Sequence, residues 1–163
     1  LTIDQLAALG LQLGADVPVF VRGHAAWAEG VGELLTPVEL PSVWYVVLHP
    51  RIHVPTAKLF SANDLTRDCT AITLAAFHNG ETNNVFQSVV ENRYPEIHKA
   101  SRWLSQYAEA KLTGTGSCLF AAVDSKLEGE RILQDLPHEW FGFVAQGLTM
   151  SPLQQKLLQL QAV

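Results

Sequence analysis

Residues 43–48 read V-W-Y-V-V-L, an uninterrupted run of apolar side chains rich in β-branched and aromatic residues. Such a composition is typical of a buried β-strand. The run is far shorter than the roughly 20 apolar residues that a membrane-spanning helix requires, and no other run in the sequence approaches that length. We therefore predict a strand over residues 43–48, expect it at the centre of a sheet, and predict no membrane span.

Helical and strand-like segments alternate after this strand. Apolar residues spaced three and four apart predict helices, and short apolar runs between turn residues predict strands. The predicted elements are a helix over residues 55–60, two or three helices within 71–108 with breaks at Gly80 and Pro95, strands over 118–123 and 142–146 separated by a helix over 127–136, and a last helix through Leu153, Leu157 and Leu160. This order predicts an α+β fold with helices on one face of a small sheet.

The segment before residue 36 differs in kind from the rest. Thr2 and Gln5 have the spacing of a helix capping box, and apolar residues at helical spacing up to Leu13 predict a short helix that is half buried. Two short strands are predicted beyond it, over residues 25–31 and 33–35. We place a domain boundary near residues 37–41.

Between that helix and those strands, residues 14–20 read G-A-D-V-P-V-F. Pro18 lacks a backbone N–H and biases Val17 toward extended angles, so we expect a bend at Asp16 rather than a helix. The small residues before Asp16 would let a substrate approach its carboxylate, which could take a proton from an alcohol. An aspartate just past a helix is also a common turn or capping residue, and this alternative stays open.

Composition excludes several classes of protein. At 163 residues, with 48% hydrophobic and 17% charged residues, the chain is long and apolar enough to fold around a core. A formal net charge of −5 has the wrong sign for a protein that binds a phosphate backbone, so no nucleic acid partner is expected. Two cysteines, Cys69 and Cys118, are too few to staple a domain of this size, which favours the cytoplasm.

Metal binding and serine-hydrolase chemistry are both disfavoured. His49 and His53 have the spacing of two ligands on one helix face, but Pro50 disfavours helical angles at His49. The remaining histidines are scattered, so we predict no metal site. The sequence also contains no G-x-S-x-G turn that would expose a serine nucleophile.

Two further segments carry candidate site residues. One is the glycine loop, which consists of Thr113, Gly114, Thr115, Gly116 and Ser117 and could offer backbone N–H groups to an anion, although a tight turn between strands explains it equally well. The other is the predicted helix over 55–60, where Thr56 and Phe60 lie one turn apart. Phe60 could stack on a base, but an aromatic on a short helix is usually buried, and from the residues alone we expect Phe60 in the core.

Four motifs, in this order, give the sequence its strongest resemblance. They are G-A-D-V-P-V-F at 14–20, G-H-A-A-W-A-E-G-V-G-E at 23–33, H-P-R-I-H-V-P-T-A-K-L-F at 49–60 and L-T-G-T-G-S-C at 112–118. Through them the chain resembles the GHMP kinase superfamily from end to end. Within it the chain is similar to the branch that acts on a cytidyl substrate in bacterial non-mevalonate isoprenoid synthesis.

The resemblance implies an ATP-dependent kinase that phosphorylates the 2-hydroxyl group of that small-molecule substrate, with ATP as co-substrate together with Mg²⁺. It assigns the catalytic aspartate to Asp16. It assigns substrate binding to Thr56 and Phe60, with the Phe60 ring stacked on the cytosine. The glycine loop would lie near the phosphates.

The resemblance also implies that part of the enzyme is missing. The family's active-site lysine and its glycine-serine-rich ATP phosphate loop do not occur in these 163 residues. Residues 1–36 would be the end of the N-terminal GHMP kinase domain and residues 37–163 the C-terminal domain. The missing N-terminal half would then be a partner, and the chain alone would be inactive.

Two alternatives remain open. The chain could come from another GHMP kinase, such as a mevalonate or homoserine kinase, which should lack the pocket aromatic at Phe60. It could instead be a non-catalytic domain that binds a nucleotide or a protein, in which case Asp16 is a turn residue.

Overall fold

The computed structural model of the chain describes residues 1–78 and 82–161, so the predicted break at Gly80 lies outside the described residues. The described elements follow one another as α1 (Ile3–Leu11), α2 (Val17–Arg22), β1 (Ala26–Glu29), β2 (Leu34–Pro37), β3 (Trp44–His49), α3 (Thr56–Phe60), α4 (Leu74–His78), α5 (Val85–Arg93), α6 (Pro95–Leu104), β4 (Lys111–Leu112), β5 (Leu119–Val123), α7 (Lys126–Gln134), β6 (Phe141–Gln146) and α8 (Pro152–Gln161). In this part of the chain, no helix is both long and apolar enough to cross a membrane.

The chain divides into two compact units. The first consists of Leu1–Ser42 with Gly147–Val163, and the second of Val43–Gln146. The division falls close to the boundary expected near residues 37–41, but the C-terminal tail groups with the first unit. The assignment of residues 1–36 and 37–163 to two kinase domains stays a prediction.

The first helix of the first unit is capped as predicted but packs on an unexpected face. The Thr2 hydroxyl accepts from the Gln5 amide at 3.2 Å, and the Thr2 amide donates to the Gln5 side chain at 2.8 Å, which completes the capping box. The buried residues of α1 are Ala7 and Gly10, which face α2. The apolar residues of the face that was predicted to be buried are exposed. Leu13, just beyond the end of α1, is exposed as well.

The expected bend at residues 14–20 is wrong in part, because Val17–Arg22 form α2. Asp16 is the N-cap residue of α2 and Pro18 lies in its first turn. Proline is tolerated there, since its missing N–H would have no partner within the helix in any case. The helix ends at Gly23, whose positive φ of 70° suits glycine.

An antiparallel hairpin and the C-terminal helix complete the first unit. Strands β1 and β2 pair from Ala26 with Pro37 to Glu29 with Leu34, which confirms two short strands around the glycine turn at 30–32. The backbone amide of Ala25 donates to the carbonyl of Thr149 at 2.7 Å. The tail therefore docks through its backbone before α8, while its leucines at 153, 157 and 160 stay exposed.

The second unit is the helix-backed sheet that the sequence predicts. Its strands are antiparallel in the order β4-β5-β3-β6, so β3 lies inside the sheet as expected. The three predicted strands are confirmed to within one residue at each end. The α+β fold class is therefore confirmed.

The core lies on one face of this sheet, because side chains alternate between the two faces of a strand. Helices α5, α6 and α7 supply the other side of the core. The fully buried large side chains are Leu48, Leu59, Ile97, Leu104, Leu119, Val46 and Val90.

We predict that Ile97→Val lowers the free energy of unfolding by about 1 kcal/mol. Ile97 has no exposed surface, so the lost methylene leaves a gap that the packed core fills only in part. Urea unfolding followed by far-UV circular dichroism measures the change. The matched control is Ile72→Val at an exposed site, where we expect a change within about 0.5 kcal/mol. Equal effects at both positions would contradict this description of the core.

Candidate active site

Asp16 stands at the start of α2 in the first unit. Its side chain is exposed and makes no capping hydrogen bond to the helix. The turn before it closes through the Val17 amide, which donates to the carbonyl of Gly14 at 3.1 Å. Asp16 is thus a capping residue by position, yet its carboxylate is not used for capping.

The hairpin turn packs against the segment that carries Asp16. Gly32 has a φ of +118°, and a Cβ added there would lie 3.1 Å from the carbonyl oxygen of Ala15. Any larger residue would push against this backbone. The motif at 23–33 and the motif at 14–20 therefore meet within one unit, at the residue next to Asp16.

The glycine loop connects β4 to β5 in the second unit. The Thr113 amide donates to the carbonyl of Cys118 at 3.0 Å, and the Gly116 amide donates to the carbonyl of Thr113 at 2.9 Å. Gly114 and Gly116 have positive φ angles of 54° and 85°, which glycine adopts without strain. The interpretation as a tight turn between strands is confirmed, and Ser117 is buried.

Phe60 is exposed, so the expectation that it lies in the core is wrong. Phe60 is the last residue of α3, and 58% of its surface is exposed. It meets the half-buried Phe86 of α5 edge-on, with ring centroids 5.0 Å apart and an angle of 75° between the planes. This contact fixes one side of the Phe60 ring and leaves the rest open.

Arg67 holds the end of the helix that carries Phe60. Its guanidinium donates to the carbonyls of Phe60 and Ala62, each at 2.8 Å, and to that of Leu65 at 3.1 Å. Carbonyls at a helix C-terminus lack partners within the helix, so these hydrogen bonds stabilise the short α3.

The structure brings Thr56 to the glycine loop. The hydroxyl oxygens of Thr56 and Thr115 lie 3.0 Å apart, although 59 residues separate them in sequence. The third and fourth sequence motifs therefore meet in the second unit. Asp16 belongs to the first unit.

Sequence reasoning missed two residues around this contact. Asn84 donates to the carbonyls of Leu112 and Gly114, at 2.9 and 2.8 Å, and Phe86 supports Phe60. An asparagine before a helical run is a recognisable N-cap signal. The hydrogen bonds that Asn84 makes to residues 112 and 114 cannot be predicted from the local sequence pattern.

A cleft of about 840 Å³ lies beside the loop but does not contain the predicted substrate residues. Its lining includes Tyr45 and Phe120 of the sheet, Glu91 of α5 and Lys111 of β4. The Lys111 ammonium donates to the Thr82 hydroxyl at 2.7 Å. None of the predicted site residues is among its lining residues.

The described residues offer neither a metal centre nor a reactive cysteine at the loop. Within residues 1–78 and 82–161, no three His, Cys, Asp or Glu side chains come together as metal ligands. Burial raises the pKa of the Cys118 thiol above its ordinary value, so little thiolate forms at neutral pH.

The sequence of the chain is similar to those of known proteins. Residues 65–141 match the family described as GHMP kinases C terminal. A curated protein of Pseudomonas entomophila (strain L48) is 52% identical over 157 residues, which are 96% of this chain and 55% of that protein. One of Nitrosococcus oceani is 50% identical over 153 residues, 94% of this chain and 55% of that protein. The chain is thus similar to GHMP kinases over nearly its whole length, and residues 65–141 match their C-terminal family.

The relatives share one name, 4-diphosphocytidyl-2-C-methyl-D-erythritol kinase. A solved structure described as 4-(cytidine 5'-diphospho)-2C-methyl-D-erythritol kinase matches with a TM-score of 0.72 and 27% identity, over 86% of this chain and 56% of that one. The chain spans about half the length of the curated relatives that it matches.

Proposed function

We propose that this chain is part of an ATP-dependent kinase that phosphorylates the 2-hydroxyl group of 4-diphosphocytidyl-2-C-methyl-D-erythritol in the non-mevalonate isoprenoid pathway. The names of its relatives support this substrate. The observation that carries the proposal is the 3.0 Å contact between Thr56 and Thr115. It joins the segment proposed to bind the substrate to the loop proposed to lie near the phosphates.

Asp16 is the proposed base. Phosphoryl transfer proceeds through a loose transition state, so the protein mainly positions the reactants and stabilises charge. A carboxylate at the start of α2 that is exposed and free of a capping hydrogen bond can accept the proton of the attacking hydroxyl group. The small residues Gly14 and Ala15 before it leave room for the substrate.

Thr56 and Phe60 are the proposed cytidyl-binding residues. The exposed face of the Phe60 ring is available for a cytosine, and base–aromatic stacking contributes about 1–3 kcal/mol per base. The Thr56 hydroxyl, already within hydrogen-bond distance of Thr115, can turn toward a polar group of the same substrate.

ATP is the proposed phosphoryl donor, and Thr113, Gly114, Thr115, Gly116 and Ser117 are proposed to lie near its phosphates. Mg²⁺ would accompany ATP and be held mainly by its phosphates with one or two carboxylates, so it does not require a cluster of three protein ligands. No residue of this chain is assigned to Mg²⁺, and none of the proposed steps depends on it.

The proposal extends to the rest of the protein. Residues 1–36 would complete an N-terminal domain that supplies the ATP phosphate loop and an active-site lysine, while residues 37–163 would form the C-terminal domain. The remaining N-terminal half would thus be a partner of this chain, and the full-length protein would act in the cytoplasm. We use "full-length protein" below for this longer protein.

A substrate comparison tests the proposal. The full-length protein is assayed for ADP formation with ATP and, in turn, the cytidyl substrate, mevalonate and homoserine. We expect turnover with the cytidyl substrate alone. Turnover with mevalonate or homoserine instead would identify another GHMP kinase, and no turnover with any of them would favour a non-catalytic binding domain.

We predict that Phe60→Ala in the full-length protein raises the KM for the cytidyl substrate about tenfold, because a stacking contact worth ~1–3 kcal/mol is lost. The KM for ATP should change less. The matched control is Phe141→Ala, which removes a ring of similar exposure that also has an aromatic neighbour. Equal increases in both KM values, or an effect of Phe141→Ala as large, would speak against stacking at Phe60.

A further inference from the structure

Asn84 uses its whole side chain in hydrogen bonds. The side-chain oxygen accepts from the Phe86 amide at 3.0 Å and so caps α5. The side-chain nitrogen donates to the carbonyls of Leu112 and Gly114, at 2.9 and 2.8 Å. A primary amide has two N–H donors, and here one is directed to the last residue of β4 and the other to the glycine loop that follows it.

The two N–H donors of Asn84 are not needed to cap α5. An N-cap needs only a side-chain oxygen, which serine, threonine or aspartate supplies equally well. Ser125 at the start of α7 is such a cap, and its hydroxyl accepts from the Glu128 amide at 3.1 Å. The two N–H groups of Asn84 therefore hold the end of β4 and the glycine loop, and not the helix.

The glycine loop needs an external restraint of this kind. Gly114 and Gly116 adopt positive φ angles, and glycine populates many other backbone conformations at little cost. Apart from its two chain neighbours, no described atom lies within 4 Å of the position that a Gly114 Cβ would occupy, so nothing packs on this side of the residue. The hydrogen bond from Asn84 restrains its carbonyl instead.

The same short segment also supports the other half of the proposed site. Phe86, two residues after Asn84, meets the Phe60 ring. Thr56 and Thr115 complete the connection between α3 and the loop. The start of α5 thus touches both the loop, proposed to lie near the phosphates of ATP, and the aromatic ring, proposed to stack on the cytosine of the second substrate.

We infer that Asn84 is a positioning residue, which holds the glycine loop in the conformation that serves phosphoryl transfer. This inference rests on the proposed function. Asn84 itself does not touch the reacting atoms. It directs the carbonyls of Leu112 and Gly114 toward α5, which leaves Thr115 turned toward Thr56.

The test is Asn84→Asp in the full-length protein. Aspartate keeps the capping oxygen but loses both donors and sets a carboxylate oxygen against two carbonyls. We expect kcat to fall about tenfold, since small displacements of a positioning loop are costly, while the KM for the cytidyl substrate changes less than about twofold. If the aspartate variant folds poorly, Asn84→Ser is tested in its place, because serine keeps a capping oxygen without a charge. It should show the same lower kcat with little change in KM.

Ser125→Ala is the matched control, because it removes a helix cap that lies at the other end of β5 from the loop. It should lower the melting temperature and leave kcat and both KM values unchanged. A loss of kcat in Ser125→Ala equal to that in Asn84→Asp would overturn the inference, because destabilisation alone would then explain both.

Hydrogen exchange gives a readout that does not depend on activity. Amides 113–117 should exchange at least about tenfold faster in Asn84→Asp, while those of α5 beyond its first turn keep their rates. Unchanged exchange in the loop, or a normal kcat, would overturn the inference. If loop exchange is faster in the variant but the wild-type protein has no kinase activity, the proposed function is refuted. Asn84 then stabilises the loop without a role in phosphoryl transfer.

Discussion

Replacing Asp16 with asparagine in the full-length protein is expected to lower kcat about a hundredfold or more, because the variant lacks a group that can accept the proton of the attacking alcohol. Substrate binding should be close to normal, since asparagine has nearly the same shape. Stability should also be preserved, because the exposed Asp16 side chain makes no capping hydrogen bond and asparagine is itself a good N-cap residue. Steady-state kinetics with both substrates measures the change.

Asp4→Asn is the matched control for this variant. Asp4 lies on α1 in the same unit and pairs with Arg22 at 3.0 Å, with both side chains exposed. Exposed ion pairs contribute little to stability, so Asp4→Asn should have near-normal kcat and stability. Near-normal turnover in Asp16→Asn would show that the carboxylate is not the base and favour its role as a turn residue.

The 163-residue chain alone is expected to have no detectable kinase activity. The resemblance places the ATP phosphate loop and the active-site lysine outside these residues. The first unit also exposes large apolar side chains, with Leu13 at 85% and Phe20 at 78% exposure. Apolar patches of this kind commonly mark interaction surfaces, so we also expect concentration-dependent association of the isolated chain.

Adding the remaining N-terminal part as a separate polypeptide provides the control. If it covers the exposed residues of α1 and α2, it should restore some ADP formation and reduce association, as measured by light scattering. A purified 163-residue chain that converts ATP and the cytidyl substrate unaided would show that the catalytic residues are complete within it. A chain that stays monomeric at high concentration would contradict the second expectation.

Local patterns predicted the sheet well and the packing of the first helix poorly. Strand β3 could be predicted because β-branched and aromatic residues follow one another without a break. The face of α1 could not, since Gly10 lets α2 approach so closely that a Cβ there would stand 2.7 Å from Val17. This contact buries Ala7 and Gly10 and leaves the apolar stripe outside. The helix was predictable from spacing, but its partner was not.

The site shows the same division between local and long-range information. The glycines of the loop predicted a turn, and the structure has one. Ring burial is the rule and predicts Phe60 in the core, but consecutive residues of a helix point about 100° apart, and with Leu59 buried the ring of Phe60 is left outside. The contacts of Asn84 with residues 112 and 114 cross about 30 residues of sequence, and no helical or strand period connects such positions.

The side-chain amides beside β4 also decide where the sheet ends. β4 is an edge strand, and edge strands with free N–H and C=O groups can recruit a strand from another molecule. Here the Leu112 carbonyl accepts from Asn84 at 2.9 Å, and the Leu112 amide donates to Gln87 at 3.1 Å. Both groups that an incoming strand would need at Leu112 are already bonded. The start of α5 therefore protects this edge against intermolecular β-aggregation.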